Sequence, residues 1–131
     1  MSLKLSLKPG ETFIVNGAVV RNGERRGVLL LENQARILRE KDIMQPEDAV
    51  TPAAQAYFAV MQMYLTGCLD GAYYDEFCRT LSALMAIQVS EAKRADVLSV
   101  SEDVTSGKLY KALGRCRKLM AAEHTAAGKA A

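Results

Sequence analysis

Leucine and polar residues alternate strictly over residues 3–8, "LKLSLK", with Leu3, Leu5 and Leu7 on one face and Lys4, Ser6 and Lys8 on the other. A period of two predicts a half-buried β-strand. Pro9-Gly10 ends it. "TFIV" and "AVVR" follow, separated only by Asn16-Gly17. That spacing predicts a hairpin, because a type I′ turn needs positive φ at both central residues. Asn22-Gly23 opens a second turn whose tip carries Glu24, Arg25 and Arg26, and Asn33-Gln34 divides "GVLLLE" from "ARIL". Residues 1–45 therefore predict about five short antiparallel strands, a meander that either curls into a small barrel or pairs with a second copy as a homodimer.

The period changes after a linker at 46–50 that contains Pro46. Thr51-Pro52 predicts a helix start: the hydroxyl caps free N–H groups, and proline at the first helical position forfeits no hydrogen bond. From Thr51 to Leu69 there is no charged residue. Gln55, Gln62 and Gly67 interrupt the stretch, and a helix ending near Leu65 falls short of the roughly 20 apolar residues of a membrane span. A helix apolar on nearly every side must be covered, either as the centre of a helical domain or as half of an interface. Tyr57, Phe58, Met61 and Tyr64 are its candidate partner-binding residues.

A second helix is predicted over 72–88, with Tyr74, Phe77, Cys78, Leu81, Leu84 and Met85 at helical spacing. Residues 91–104 form a third or continue the second. Gly107 precedes a last amphipathic helix that turns Leu109, Ala112, Leu113, Cys116 and Leu119 inward, and the small, polar tail from 121 is expected to fray. Strands first and helices afterwards predict an α+β protein: a β-lobe over 1–45, then a three- to four-helix bundle over 51–131.

Composition adds limits. A chain of 131 residues can bury about two thirds of its unfolded surface without a disulfide or metal staple. Cys68, Cys78 and Cys116 are an odd number without a CxxC, and read as buried free thiols in a reducing cytosol. The N-terminus lacks the continuous apolar run of a signal peptide. His124 is the only histidine and lies in the tail, so Ser/His/Asp and Cys/His devices have no base. Gly107-Lys108 and Gly128-Lys129 fail as phosphate loops, since Glu102 and Glu123 stand where the earlier glycine belongs. The acidic pairs Glu47-Asp48, Asp75-Glu76 and Glu102-Asp103 read as solvated helix surface. No enzyme, metal or cofactor is expected.

The net charge of +2 is uninformative, but its distribution is not. Residues 1–45 hold eight Lys/Arg against five Asp/Glu, residues 46–90 one against five, and residues 91–131 eight against five. In the β-lobe, Lys4 and Lys8 lie on the first strand, Arg21, Arg25 and Arg26 around the second Asn-Gly turn, and Arg36 and Arg39 near the last strand. If the first and last strands are neighbours, Lys4, Ser6, Lys8 and Arg39 share a surface fit for single-stranded RNA. The other reading is edge protection, since lysine on an edge strand discourages aggregation. On the last helix Lys108, Lys111, Arg115 and Lys118 line one face, which a solvated amphipathic helix also explains. The aromatic residues Tyr57, Phe58, Tyr64, Tyr73, Tyr74 and Phe77 lie in the acidic middle and suit a core or a protein interface better than a polyanion.

"LKLSLKPGE", "NGAVVRNG", "ILREKDIM" and "TPAAQAYFAVMQMYL", in that order, resemble the FlbT family of flagellar post-transcriptional regulators, and the resemblance runs to about Met120. It implies a cytoplasmic protein that acts on the 5′ untranslated leader of flagellin messenger RNA, lowers translation or transcript stability, and works with a FlaF-type partner. In some members the net effect on flagellin is positive. The chain departs from the family after "TPA", where Ala54 and Gln55 replace expected basic residues. "LSLKPGETFIVNGAVV" with "LREKDI" is also similar to the carbon storage regulator family of intertwined β-rich dimers. That likeness implies RNA contacts at Lys8 and Arg39, with Lys4 and Ser6 on the same outward face.

Overall fold

The computed structural model describes residues 3–88 and 90–130, with side chains through residue 123. The chain divides into two compact units, Met1–Ile43 and Met44–Ala131. The α+β expectation holds, with five antiparallel strands followed by four helices.

In the first unit the strands are β1 (Leu3–Leu7), β2 (Thr12–Val15), β3 (Ala18–Arg21), β4 (Gly27–Leu31) and β5 (Ile37–Arg39). Asn16 and Gly17 both have positive φ, 50° and 87°, and Val15 pairs with Ala18, so the predicted Asn-Gly hairpin joins β2 to β3. The pairing is nevertheless not a meander. β1 pairs only with β4, and β2 lies between β3 and β5 in a separate three-stranded sheet. The turn after β1 supplies the reason. Glu11 N–H donates to the Lys8 carbonyl at 3.1 Å, and Gly10 has φ 69° behind Pro9. Proline followed by positive-φ glycine is type II turn chemistry, whose twist splays the flanking strands instead of pairing them.

Released from β2, β1 takes β4 as its partner, with Leu3 opposite Leu31, Leu5 opposite Leu29 and Leu7 opposite Gly27. Burial rises along this leucine face from an exposed Leu3 to a buried Leu7, so the ribbon meets the core at one end only. Leu7, Phe13, Ile14, Ile37 and Leu38 form that core. Consecutive Phe13 and Ile14 point to opposite faces of β2, and both are buried, so this strand between β3 and β5 is covered on both faces.

The second unit consists of α1 (Pro52–Thr66), α2 (Ala72–Ile87), α3 (Glu91–Thr105) and α4 (Leu109–Ala130). Thr51 caps α1, its hydroxyl accepting from Ala54 N–H at 3.2 Å, with Pro52 at the first position. Gly67, with φ 71°, closes the helix in the left-handed conformation. α1 packs against both α2 and α4. Ala53, Ala56, Val60 and Met63 are fully buried, which resolves the uncharged stretch: α1 is the centre of this unit. Phe77 and Leu84 of α2, Val97, Val100 and Val104 of α3, and Leu113 and Cys116 of α4 complete the core. None of the described helices is long and apolar enough to cross a membrane.

Two expectations need correction. Cys116 is buried, but Cys68 and Cys78 are exposed. Cys68 follows the glycine that ends α1, so helical spacing does not reach it, and Cys78 flanks the Phe77–Thr80–Leu84 stripe that faces inward. The tail is helical in its backbone to Ala130 instead of fraying after residue 120, while the side chain of His124 lies outside the described ones. Part of the reason is Glu123, whose carboxylate accepts from Thr51 Oγ1 at 2.6 Å and Ala53 N–H at 3.2 Å, so α4 helps to cap α1.

Burial pushes the Cys116 thiol up to about 12, leaving it protonated and inert at neutral pH. Under native conditions a thiol reagent should label two cysteines, Cys68 and Cys78, and the third only after denaturation, as counted by mass spectrometry. Glu123→Ala should lower stability by about 1 kcal/mol, seen as a lower urea midpoint, because it removes the shared cap.

Candidate nucleic-acid interface

Arg39, at the end of β5, is the best-connected cation of the β unit. Its Nε donates to Glu11 Oε2 at 3.0 Å, and its Nη2 donates to Oε1 and Oε2 at 2.9 Å each. The same Nη2 donates to the Ser6 carbonyl of β1 at 2.6 Å. Glu11 is buried and also accepts from Lys8 N–H at 3.0 Å. The Arg39 hydrogen bonds, followed by that of Lys8, hold the Glu11 carboxyl below its ordinary value of 4.5 against the opposing effect of burial. β1 and β5 are thus not neighbours in a sheet, and one guanidinium bridges them. Arg39 is committed to this bridge, so it does not stand free beside Lys4, Ser6 and Lys8 as the sequence reading envisaged.

A second centre is Asn22. Its Nδ2 donates to the Lys8 carbonyl at 2.7 Å and to the Arg25 carbonyl at 3.0 Å, while its backbone N–H donates to the Glu11 carbonyl at 2.8 Å. Gly10 N–H reaches the Gly23 carbonyl at 2.9 Å. These bonds clamp the turn after β3 against the turn after β1, and they gather the backbone of Lys8, Arg21, Arg25 and Arg26 at one end of the unit. All four side chains are exposed, and none forms an ion pair among the described residues. Glu24 is the single acid of residues 21–27. Beside this cluster, Lys8, Pro9, Glu11, Arg39, Glu40 and Lys41 line an open concavity of about 370 Å³.

Lys4 lies further along β1, opposite Leu30, and Ser6 lies opposite Val28. Directly opposed residues of an antiparallel pair project from one face. That face therefore carries Lys4 and Ser6 beside Val28 and Leu30, which are 57% and 62% exposed. Arg36 stands apart, where β5 begins, next to the Asn16-Gly17 turn. The expected cations thus fall into a cluster of four around Asn22, an intermediate Lys4, a bridging Arg39 and a remote Arg36. Sequence reasoning missed Glu11 and Asn22, the two residues that organise the others. An acid directly after a Pro-Gly turn and an asparagine before a basic turn were the available signals.

In the helical unit, Tyr57 and Met61 are buried in the unit's own core, and Phe58 and Tyr64 are half-buried. Tyr57 and Met61 are therefore unavailable as partner contacts while α1 stays packed. Lys108, just before α4, and Lys111 and Lys118 within it are exposed, whereas Arg115 pairs with the buried Asp103 at 2.6 Å. Asp103 thereby joins α3 to α4 through an ion pair. Among the described residues no three His, Cys, Asp or Glu side chains gather to hold a metal.

A group whose folded pKa is depressed stabilises the fold above its unfolded value and loses that contribution as pH falls through its folded value. The Glu11 contribution is thus complete above pH 4.5 and fades in more acid solution. Glu11→Gln should lower stability at pH 7, and its deficit against the parent should shrink by pH 3, as measured by urea denaturation at both pH values. A deficit independent of pH would contradict the ion pair.

Comparisons with known proteins agree over most of the chain. The family model described as "Flagellar protein FlbT" matches residues 3–126. The chain is similar to the Flagellum biosynthesis repressor protein FlbT of Caulobacter vibrioides (strain ATCC 19089 / CIP 103742 / CB 15), 50% identical over 92% of this chain and 85% of the relative. It is also similar to the Probable flagellum biosynthesis repressor protein FlbT of Caulobacter sp. (strain K31), 50% identical over 92% of each. A protein of the same name from Rhodopseudomonas palustris (strain TIE-1) is 36% identical over 94% of this chain and 95% of the relative. No solved structure matches. With its family model covering nearly all of its length, the chain belongs to the FlbT family of flagellar proteins.

Proposed function

We propose that the protein represses flagellin synthesis by binding the 5′ untranslated leader of flagellin messenger RNA in the cytoplasm, lowering its translation, its stability or both. The names of its relatives, flagellum biosynthesis repressors, support a role in flagellar synthesis. The observation that carries the RNA reading is the Asn22 clamp, which holds the backbone of Lys8, Arg21, Arg25 and Arg26 together with their side chains unpaired and exposed. Four cations on or beside two abutting turns match the spaced phosphates of a flexible strand, and their binding would release counterions. Next to them Val28 and Leu30 offer apolar surface to unstacked bases, which duplex nucleic acid does not present. Edge protection explains Lys4 and also Arg21, which ends the edge strand β3, but it does not explain Lys8, Arg25 and Arg26, which lie outside the strands. In this reading no catalysis is involved: the leader is occupied and the ribosome is excluded. The helical unit would carry a FlaF-type partner on surface outside the α1 core.

The test is fluorescence anisotropy of the purified protein against a labelled flagellin leader over a salt series. Affinity should fall steeply with salt. The variant Lys8→Ala/Arg25→Ala/Arg26→Ala should bind at least about 10-fold more weakly, with a salt slope reduced by about 2, three single-strand phosphate contacts being lost. Affinity indifferent to both salt and substitution would overturn the proposal. The protein would then act through its FlaF-type partner, with any effect on RNA indirect.

A further inference from the structure

The β unit has a second feature at the end opposite the Asn22 clamp. Leu3, Asn16, Leu31, Asn33, Gln34, Ala35 and Arg36 line an open concavity of about 630 Å³. Its chemistry differs from that of the cationic end: three carboxamides, one guanidinium and two leucines. Leu3 and Leu31 are a cross-strand pair at the free end of the β1–β4 ribbon, where they leave the core, and Leu3 is 53% exposed. The opposite wall is fixed. Asn16 N–H donates to the Arg36 carbonyl, and Arg36 N–H donates to Asn16 Oδ1, both at 2.8 Å. This pair of hydrogen bonds locks the exit of the β4–β5 loop onto the β2–β3 hairpin. Asn33 and Gln34, between the two walls, are exposed, and their side chains make no hydrogen bond among the described residues.

Free carboxamides on a fixed loop are an uncommitted set of donors and acceptors: each offers two N–H donors and one carbonyl. The edges of nucleobases present that same mixture, and asparagine and glutamine are among the side chains that read them. An apolar floor suits the face of the base, and a lone guanidinium suits one phosphate or a base edge. From this juxtaposition we infer that the concavity is a base-reading subsite for single-stranded RNA, in which Asn33 and Gln34 choose the base and Leu3 and Leu31 hold its face. The inference rests on the RNA reading above and adds a division of labour to it. The Asn22 end grips phosphates of any sequence, and the amide end supplies preference. A concavity fitted merely to an anion would carry more than one charge, and this one carries only Arg36.

The experiment compares two labelled RNAs, the flagellin leader and a scrambled version of equal length and composition, by anisotropy over a salt series. The parent should prefer the leader. Asn33→Ala/Gln34→Ala should cut that preference about 10-fold or abolish it, leaving the salt slope unchanged. Arg36→Ala should weaken both RNAs alike and reduce the slope by about 0.7. All substitutions lie on an exposed loop, and circular dichroism checks that each variant is folded. A parent that binds both RNAs equally, or an amide variant that weakens both equally or neither, overturns the subsite while leaving the phosphate-binding proposal standing. A parent with no salt-sensitive affinity for either RNA overturns both.

Discussion

One ion pair organises the β unit. Arg39 grips the buried Glu11 carboxylate with two nitrogens and spends a further bond on the Ser6 carbonyl. These contacts tie β5 and the entrance to β2 to β1, which belongs to the other sheet. A two-stranded ribbon is barely stable in water, and the β1–β4 pair touches the core only near Leu7. The bridge compensates for that poor anchorage. It also explains why so small a lobe tolerates an acid in its interior: the carboxylate receives charge-assisted hydrogen bonds from Arg39 and one from a backbone N–H, so its desolvation is offset.

On that frame the charges are sorted. Arg39 is neutralised by its partner, while Lys8, Arg25 and Arg26 on the turns, and Arg21 at the end of β3, surround Asn22, which stitches those turns together. The arrangement separates a cation with a structural task from cations with none. Exposed lysines and arginines without partners cost little in water and stay available to a polyanion. The helical unit takes the opposite course. Its uncharged α1 is consumed as core, Asp103 is neutralised by Arg115, and Glu123 caps the start of α1.

Local order was readable in the sequence wherever it depends on neighbouring residues. Strict alternation marked β1, Asn16-Gly17 marked the hairpin, and Thr51-Pro52 marked the start of α1, since each rests on backbone chemistry within a few positions. Strand partnership was not readable, because it depends on which turn splays and which closes. A Pro-Gly pair reads simply as a stop until its positive φ and its Lys8–Glu11 hydrogen bond are seen. The same holds for the site. The cation types were legible, but their grouping was not, because Glu11 and Asn22 act across 28 and 14 residues of chain. Cys68 and Cys78 were misplaced for a related reason: helical spacing describes a stripe, and neither its edge nor its end is visible from spacing alone.

If the leader binds as proposed, it sits on the clamped pair of turns held on the Glu11–Arg39 frame. Amide hydrogen exchange followed by mass spectrometry, with and without flagellin leader RNA, tests it in the intact protein. Exchange should slow in segments 4–12 and 21–27 on addition of RNA, with the core of α1 unchanged. Protection confined to the helical unit, or no protection at saturating RNA, would contradict it.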